Sequence, residues 1–477
     1  MQHRTPLVQA IQAYQAKKRL RQHMPGHKGQ AQANALFEHW GELAAWDLTE
    51  AEGLDDLHAP EGPIRQAAEL LAQAVGAKQA HLLVNGASVG ILAAILAATA
   101  QSPGCSILLP RNAHRACWNG LALAGCQPVW LPVEYDKTTG LPLGITPKQL
   151  QQAAAQTPAA KAAFFVYPSY YGVCVDLAAL LSVCRQHKLI SIVDEAHGAH
   201  LPFTAPEQAA ARLGADLVIE SWHKTMGSLG QTAVLLSNSR DDLQPERWLT
   251  MLQTSSPSYP LLASLDAARA EWCAQQAERR QALAQERAIL TETLQKCNVL
   301  QMLQPAELPS GFSYDESKAL LYSAAGHSGW QLAEALRQAG LEPEFADWRW
   351  VLLLLSFADC WQSGGWPALT QALQQADLIL QQTPAKPVRL ATANLPLPQQ
   401  IFTPAETMRQ PVRMLPLAQT AGHVAAGLLT PYPPGIPWLG PGELIEPWLI
   451  EAAEALLQAG GRLQGLTNGC LPVLAIS

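Results

Sequence analysis

Lys224, in the run Ser221-Trp222-His223-Lys224-Thr225, follows by thirty residues an aspartate, Asp194, in Val193-Asp194-Glu195-Ala196-His197-Gly198-Ala199-His200. Each closes an apolar run: Leu217-Val218-Ile219 precedes the lysine segment, and Ile190-Ser191-Ile192-Val193 precedes the aspartate. A lysine amine delivered in this way can form an imine with an aldehyde. A carboxylate facing a pyridine nitrogen raises that nitrogen's pKa and keeps the ring cationic and able to accept electrons. The aldehyde that needs both partners is pyridoxal phosphate. Ser221 and His223 are hydrogen-bonding groups suited to its phosphate, and Gly227 and Gly230 leave room for close backbone approach.

Further residues fall beside this pair. Ala196 is small enough to lie flat against one face of such a ring, and His197 would then stand near the ring hydroxyl; the plainer account of His197 is a core histidine satisfied by backbone. Asn85-Gly86-Ala87-Ser88 closes one apolar run and opens a helix expected over 89–100, whose N-terminal amides and dipole would receive a phosphate. Ser88 could equally be a plain N-cap, and the two accounts are compatible. His114, in Pro110-Arg111-Asn112-Ala113-His114-Arg115, is either a ring-stacking group that also shuttles a proton or an ordinary loop histidine.

The elements that must position these residues are seven short apolar runs, 81–84, 106–109, 128–131, 163–167, 189–194, 215–220 and 232–236, separated by amphipathic stretches. Runs of that length and spacing predict an α/β fold: a mostly parallel seven-stranded sheet covered on both faces, with ligands beyond the carboxyl ends of its strands. All the polar clusters singled out lie at such ends. One long helix is expected over 266–297, then a smaller α/β unit with strands at 318–322 and 350–355 and a helix over 330–339. The prolines between 383 and 416 suit an extended crossing segment better than a helix, and a last unit ends in a helix over 446–459. The expected domains are an N-terminal arm, 1–49; a large cofactor-binding domain, 50–297; a small α/β domain, 298–382; and a C-terminal domain, 383–477.

Composition narrows the partners. The chain has 477 residues, 48% of them hydrophobic, and a formal net charge of -7 with no basic stripe. Neither nucleic acid nor an anionic membrane is the expected partner, and the ligand should be small. Nine cysteines, odd in number and without the paired short spacing of a zinc site, suit a reducing cytoplasm and no metal. No signal peptide or membrane span is expected.

At this point the residues resemble the pyridoxal-phosphate-dependent ornithine/lysine/arginine decarboxylases of the aspartate-aminotransferase fold (fold type I). The resemblance begins at His23-Met24-Pro25-Gly26-His27-Lys28-Gly29 and runs through Gly53-Leu54-Asp55-Asp56-Leu57-His58 and the clusters above. It continues in Thr254-Ser255-Ser256-Pro257, Pro431-Tyr432-Pro433-Pro434-Gly435-Ile436-Pro437 and Pro441-Gly442-Glu443. It implies that Lys224 is the Schiff-base lysine, Asp194 the partner of the ring nitrogen and His114 the stacking group. By the same resemblance Ala87, Ser88, Ser221 and His223 hold the phosphate, with Gly86 beside them in the cofactor site, and Ser256 sits on a turn that reaches a neighbouring subunit's cofactor. A homodimer or dimer of dimers follows, and because no receiver-like domain precedes the Pro-Gly-His-Lys motif, a decamer is not expected. Two departures stand out: Ala87 where a serine or threonine is usual, and Gly427, in Gly422-His423-Val424-Ala425-Ala426-Gly427, where a glutamate is more usual.

The implied activity is decarboxylation of a basic L-amino acid, arginine or lysine before ornithine, to an amine of polyamine biosynthesis. Glu443, Glu344 and Asp347 are candidates for reading the distal cation. The nearest rival, an aminotransferase or carbon–carbon lyase on the same fold, would need a late arginine such as Arg389, Arg409 or Arg413 to clamp the substrate carboxylate. The rival from another class is a catalytically idle cofactor-binding regulator, motivated by Ala87 and Gly427.

Overall fold

The structure is a computed structural model and describes residues 1–475 except 41, 239–242, 389–394 and 434. Arg389 and Pro434 therefore lie outside the described residues. All seven expected runs are strands: β1 (Gln79–Leu83), β2 (Ser106–Pro110), β3 (Gln127–Leu131), β4 (Ala160–Val166), β5 (Ile190–Asp194), β6 (Leu217–Glu220) and β7 (Ala233–Ser237). Four of them, β1, β5, β6 and β7, belong to one part of the chain and three, β2, β3 and β4, to another. The chain divides into two compact units, residues 1–100 with 190–277, and residues 101–189 with 278–477.

In the first unit the strand order is β1-β7-β6-β5. β6 and β5 are parallel, whereas β7 runs antiparallel to both β6 and β1. The reversal has a simple cause: only a one-turn helix, Trp222–Thr225, stands between β6 and β7, too little chain for a parallel crossover. These strands are almost wholly buried apolar residues, as in a sheet covered on both faces. The helix Gly86–Thr99 packs on them so closely that a Cβ at Gly90 would meet Leu83 Cδ1 at 2.9 Å and Ile219 Cγ2 at 3.0 Å. The N-terminal arm is tied in by the fully buried Asp266 and Arg269. Asp266 accepts from the Leu7 amide (2.9 Å) and from Arg269 (2.7 Å), and Arg269 also donates to the carbonyls of Gln2 and Arg4. Asp55 accepts from the amides of Glu61, Gly62 and Ile64 and so starts the helix Pro63–Val75, which Gly76 ends in the left-handed region (φ +83°).

In the second unit β4, β2 and β3 are parallel in that order. A separate antiparallel sheet follows, with β8 (Leu300–Met302), β9 (Lys318–Ser323), β10 (Phe345–Ala346) and β11 (Val351–Leu354) in the order β8-β9-β11-β10. Its core joins Leu300, Leu321, Val351 and Leu353 to Leu332 and Leu336 of the helix Gly329–Gln338 and to Leu373 and Leu380 of the helix Gly365–Gln382. A further cluster, with Leu429, Leu439, Leu449, Leu471 and Val473, holds the last helix, Pro447–Gln458.

Two expectations about elements fail. The long helix is two, Tyr259–Ala274 and Gln276–Gln295, broken at Gln275, which leaves the helical region (φ -119°, ψ 27°). The proline-rich stretch is not wholly extended: Pro404–Thr407 is a helical turn, because Thr403 and Glu406 form a reciprocal capping box with proline at the first position. No helix among the described residues is long and apolar enough to cross a membrane. All nine cysteines are free thiols.

Candidate active site

β5 and β6 lie in parallel register with Asp194 beside Ile219, so the two strands end side by side. Asp194 is buried, and its Oδ1 accepts from the Ala196 amide at 3.1 Å. Burial pushes its carboxyl pKa up, while the nearby Lys224 ammonium and the Ala196 amide oppose that rise. Lys224 stands on the one-turn helix after β6 with its Nζ 3.0 Å from His197 Nε2. The first unit therefore brings Asp194, Ala196, His197, Ser221, His223 and Lys224 together. His197 is neither a residue satisfied only by backbone nor a remote one, because its ring meets the amine directly.

Ser221 is fully buried, and its Oγ lies 3.3 Å from His223 Nδ1. His223 Nδ1 is also 3.1 Å from the Thr232 carbonyl, which can only accept, so Nδ1 carries a proton. Nε2 then donates to an anion only when the ring is protonated.

The helix Gly86–Thr99 begins in the same unit. Its N-cap is Asn85, not Ser88, and Asn85 makes no capping bond; its Oδ1 accepts from the Thr254 amide at 3.2 Å instead. The first-turn amides are thus left without a side-chain cap, the condition in which a helix N-terminus takes an anion. Gly86 adopts φ +77°, and nothing lies within 4 Å of where a Cβ would stand. Ser88 and Ser256 are exposed, Ala87 half-buried, and the Ser256 carbonyl accepts from Thr254 Oγ1 at 3.4 Å. His114 belongs to the second unit; its ring is exposed, and Nδ1 accepts from the Ala116 amide at 3.2 Å, at the start of the helix Ala116–Ala124.

The second unit corrects the expectation for Glu443. That residue is fully buried and already committed: both oxygens accept from the Arg111 guanidinium, one at 2.8 Å, and Oε2 also accepts from the Gly440 amide at 2.7 Å. Arg111 lies over the Trp118 and Trp130 rings and donates to the Trp438 carbonyl. Asp347 is likewise filled by the Tyr171 hydroxyl (2.7 Å) and the amides of Arg349 and Trp350. Glu344 is exposed and accepts from the Tyr170 hydroxyl at 2.7 Å. At Gly427 a Cβ would stand 2.9 Å from Pro472 Cγ, so the usual glutamate would not fit there without moving that proline.

One pair escaped the sequence reading. Extending the β5–β6 register by one residue sets Glu195 opposite Glu220 on the face away from Asp194. Both are fully buried, and among the described residues no lysine, arginine or histidine forms an ion pair with either. Glu195 Oε1 accepts from the Ala210 amide and Glu220 Oε2 from Trp222 Nε1, while Glu195 Oε2 and Glu220 Oε1 find no donor. Two carboxylates facing each other out of water repel, so the pair keeps a proton rather than ionising fully. Burial and the facing carboxylate push Glu195 well up, and burial pushes Glu220 up to about 8.

Comparison with known proteins falls in line with this geometry. The model of the family described as Orn/Lys/Arg decarboxylase, major domain, matches residues 5–315, and that of the Orn/Lys/Arg decarboxylase C-terminal domain matches residues 389–463. The chain is 32% identical to an arginine decarboxylase of Bacillus subtilis, with 100% of this chain and 98% of that one covered. It is also 32% identical to the uncharacterized protein YaaO of the same organism, over 97% of this chain and 96% of that one. The solved structure of the Escherichia coli constitutive lysine decarboxylase superposes with a TM-score of 0.82 at 19% identity, covering 99% of this chain and 82% of that one, and so shares the fold.

Proposed function

The chain belongs to the Orn/Lys/Arg decarboxylase family, and from that premise we propose that it removes the α-carboxylate of a basic L-amino acid, arginine or lysine, with pyridoxal phosphate held in the first unit. The observation that carries this reading is the meeting of Lys224, His197 and the buried Asp194 at adjoining strand ends.

The donor set fits the cofactor. Asp194, kept from water, would hold the ring nitrogen protonated, and Ala196 would lie along the ring. The first-turn amides of Ala87 and Ser88, left without a side-chain cap while that of Gly86 donates to the Gln231 carbonyl, would hold the phosphate together with Ser221 and His223. Bound pyridoxal phosphate supplies an electron sink for the pair released as the carboxylate departs. Lys224 Nζ must be unprotonated to react, and His197 Nε2, 3.0 Å away, is the base placed to take its proton. After carbon dioxide leaves, the same pair can return that proton to the α-carbon. His114 is assigned the stacking role, and Ser256 the contact to a second subunit's cofactor, on the sequence resemblance. A homodimer is the smallest active assembly in this reading.

Of the arginines a transaminating rival would use, Arg409 is exposed, and Arg413 is exposed with its Nη2 2.8 Å from His423 Nε2. Carboxyl-labelled arginine, lysine and ornithine, each supplied separately to the cofactor-loaded protein, test the proposal. Labelled carbon dioxide with stoichiometric amine is expected from arginine or lysine. Keto acid as the sole product would overturn it, and the absorbance of cofactor joined to Lys224 as an imine, without turnover of any of the three, would favour the idle regulator.

A further inference from the structure

A cavity of about 690 Å³ opens in the second unit between β11, the helix Gly365–Gln382 and the helix Gln276–Gln295. All the titratable residues that line it are acidic: Glu286, Glu342, Glu344 and Asp359. Three of them have partners. Glu342 accepts from Arg337 Nε at 2.8 Å, Glu344 from the Tyr170 hydroxyl, and Asp359 from the Ser356 amide and the Gln362 side chain, both at 2.6 Å.

Glu286 is different. It is 2% exposed, it lines the cavity, and its Oε2 has no hydrogen-bond donor among the described residues. Its other close neighbour is a second carboxyl, Asp359, so the two can coexist without a cation only by keeping a proton between them. Around this floor Leu353, Leu355, Leu369 and Trp366 form an apolar stretch of the wall, beside the uncharged polar Gln362, Ser363 and Gln371.

We propose that this cavity binds a linear diamine or longer polyamine, with one ammonium against Glu286 and a second at the rim formed by Glu342 and Glu344. The hydrocarbon between the charges lies against the leucine and tryptophan wall, and the first ammonium takes the place of the proton on the floor. A metal ion suits the site less well, because among the described residues no three potential ligands converge on one point. An α-amino acid suits it less well too, since its carboxylate would face four acidic residues with no lysine or arginine in the lining. The site therefore selects the class of an amine product over its amino-acid precursor, a link that rests on the decarboxylase reading; the cation site itself does not.

Calorimetry of the cofactor-loaded protein with 1,5-diaminopentane tests the proposal, run in parallel on protein whose imine between Lys224 and the cofactor has been reduced with borohydride, so that the cofactor's carbonyl carbon can no longer capture an amine. The expected result is one diamine site per chain that persists in the reduced protein and weakens at least tenfold there in Glu286→Gln. Pentylamine and L-lysine should each bind at least tenfold more weakly than the diamine. Titration in buffers of different ionisation enthalpy should show proton release on binding, which Glu286→Gln removes. Should Glu286→Gln fail to fold, Glu342→Gln/Glu344→Gln at the exposed rim carries the test, expected to weaken the diamine and leave pentylamine unchanged. Equal diamine affinity in the substituted and unsubstituted proteins, displacement by magnesium chloride at stoichiometric concentration, or no diamine site in the reduced protein would each overturn the proposal. Turnover by the native protein is read separately, so loss of this site and loss of the decarboxylase reading remain distinguishable.

Discussion

Glu443 in the second unit and the Glu195–Glu220 pair in the first are all fully buried, yet their charge is handled in opposite ways. Glu443 meets a two-pronged guanidinium that stays charged at any working pH, and its second oxygen also takes a backbone amide. Glu195 and Glu220 take one neutral donor each, the Ala210 amide and the Trp222 indole, and leave their remaining oxygens to a retained proton. The first arrangement is permanent scaffolding. The second leaves a compensation that pH can remove, and it sits on the two strands that deliver Asp194 and Lys224. Incomplete compensation concentrated at one place is the usual mark of a working site.

The largest effects separate chemistry from scaffolding. Lys224→Ala should lower turnover by about 10³-fold or more while leaving the melting temperature nearly unchanged, because the lysine side chain is exposed and no packing depends on it. Arg111→Ala should do the reverse on stability: leaving Glu443 buried and unpaired costs about 3–5 kcal/mol in denaturant unfolding. A large stability loss in the lysine variant, or none in the arginine variant, would erase the contrast.

Glu220→Gln sharpens it with a smaller effect. In the native protein the pair holds a proton that the unfolded chain gives up near the ordinary carboxylate range. The stability tied to that proton is therefore fully present below about pH 4.5 and is lost as pH rises through the folded value of about 8. A glutamine amide donates to Glu195 without any proton, so Glu220→Gln should flatten this decline and be the more stable protein at pH 9, by about 1–3 kcal/mol. Thermal melts of both proteins from pH 5 to pH 9 check this; parallel curves would show that no proton is shared.

How much of this was legible in the sequence differs between the same regions. All seven sheet strands announced themselves, since a buried strand is a short apolar run, and Asp194 and Lys224 were legible as the polar residues that end two of them. The antiparallel turn of β7 was readable in principle from the twelve residues 221–232, too few for a crossover. So was the helical turn at Pro404, from Thr403 and Glu406. The Glu195–Glu220 pair was not, because it depends on strand register, which no local pattern encodes. Nor was the Arg111–Glu443 pair, whose partners are 332 residues apart. Gln275 breaks a helix with neither glycine nor proline to signal it.

The smallest expected effect concerns Ala87, on the first turn of the uncapped helix. If that turn receives the cofactor's phosphate through backbone amides alone, a hydroxyl at position 87 adds one hydrogen bond to a charged acceptor and disturbs little else. Ala87 is only half-buried, and a serine differs from it by one oxygen. Ala87→Ser should then tighten pyridoxal phosphate binding about three- to tenfold, the equivalent of roughly 0.6–1.4 kcal/mol, with no change in unfolding free energy of the cofactor-free protein. Cofactor titration followed by absorbance reads the affinity, and urea unfolding of the cofactor-free protein is the control. A serine acting only as a better helix residue would shift the second measurement and not the first. An unchanged affinity with unchanged stability would instead mean that the phosphate lies elsewhere than at this helix N-terminus, and the assignment of Gly86, Ala87 and Ser88 to the cofactor would fall.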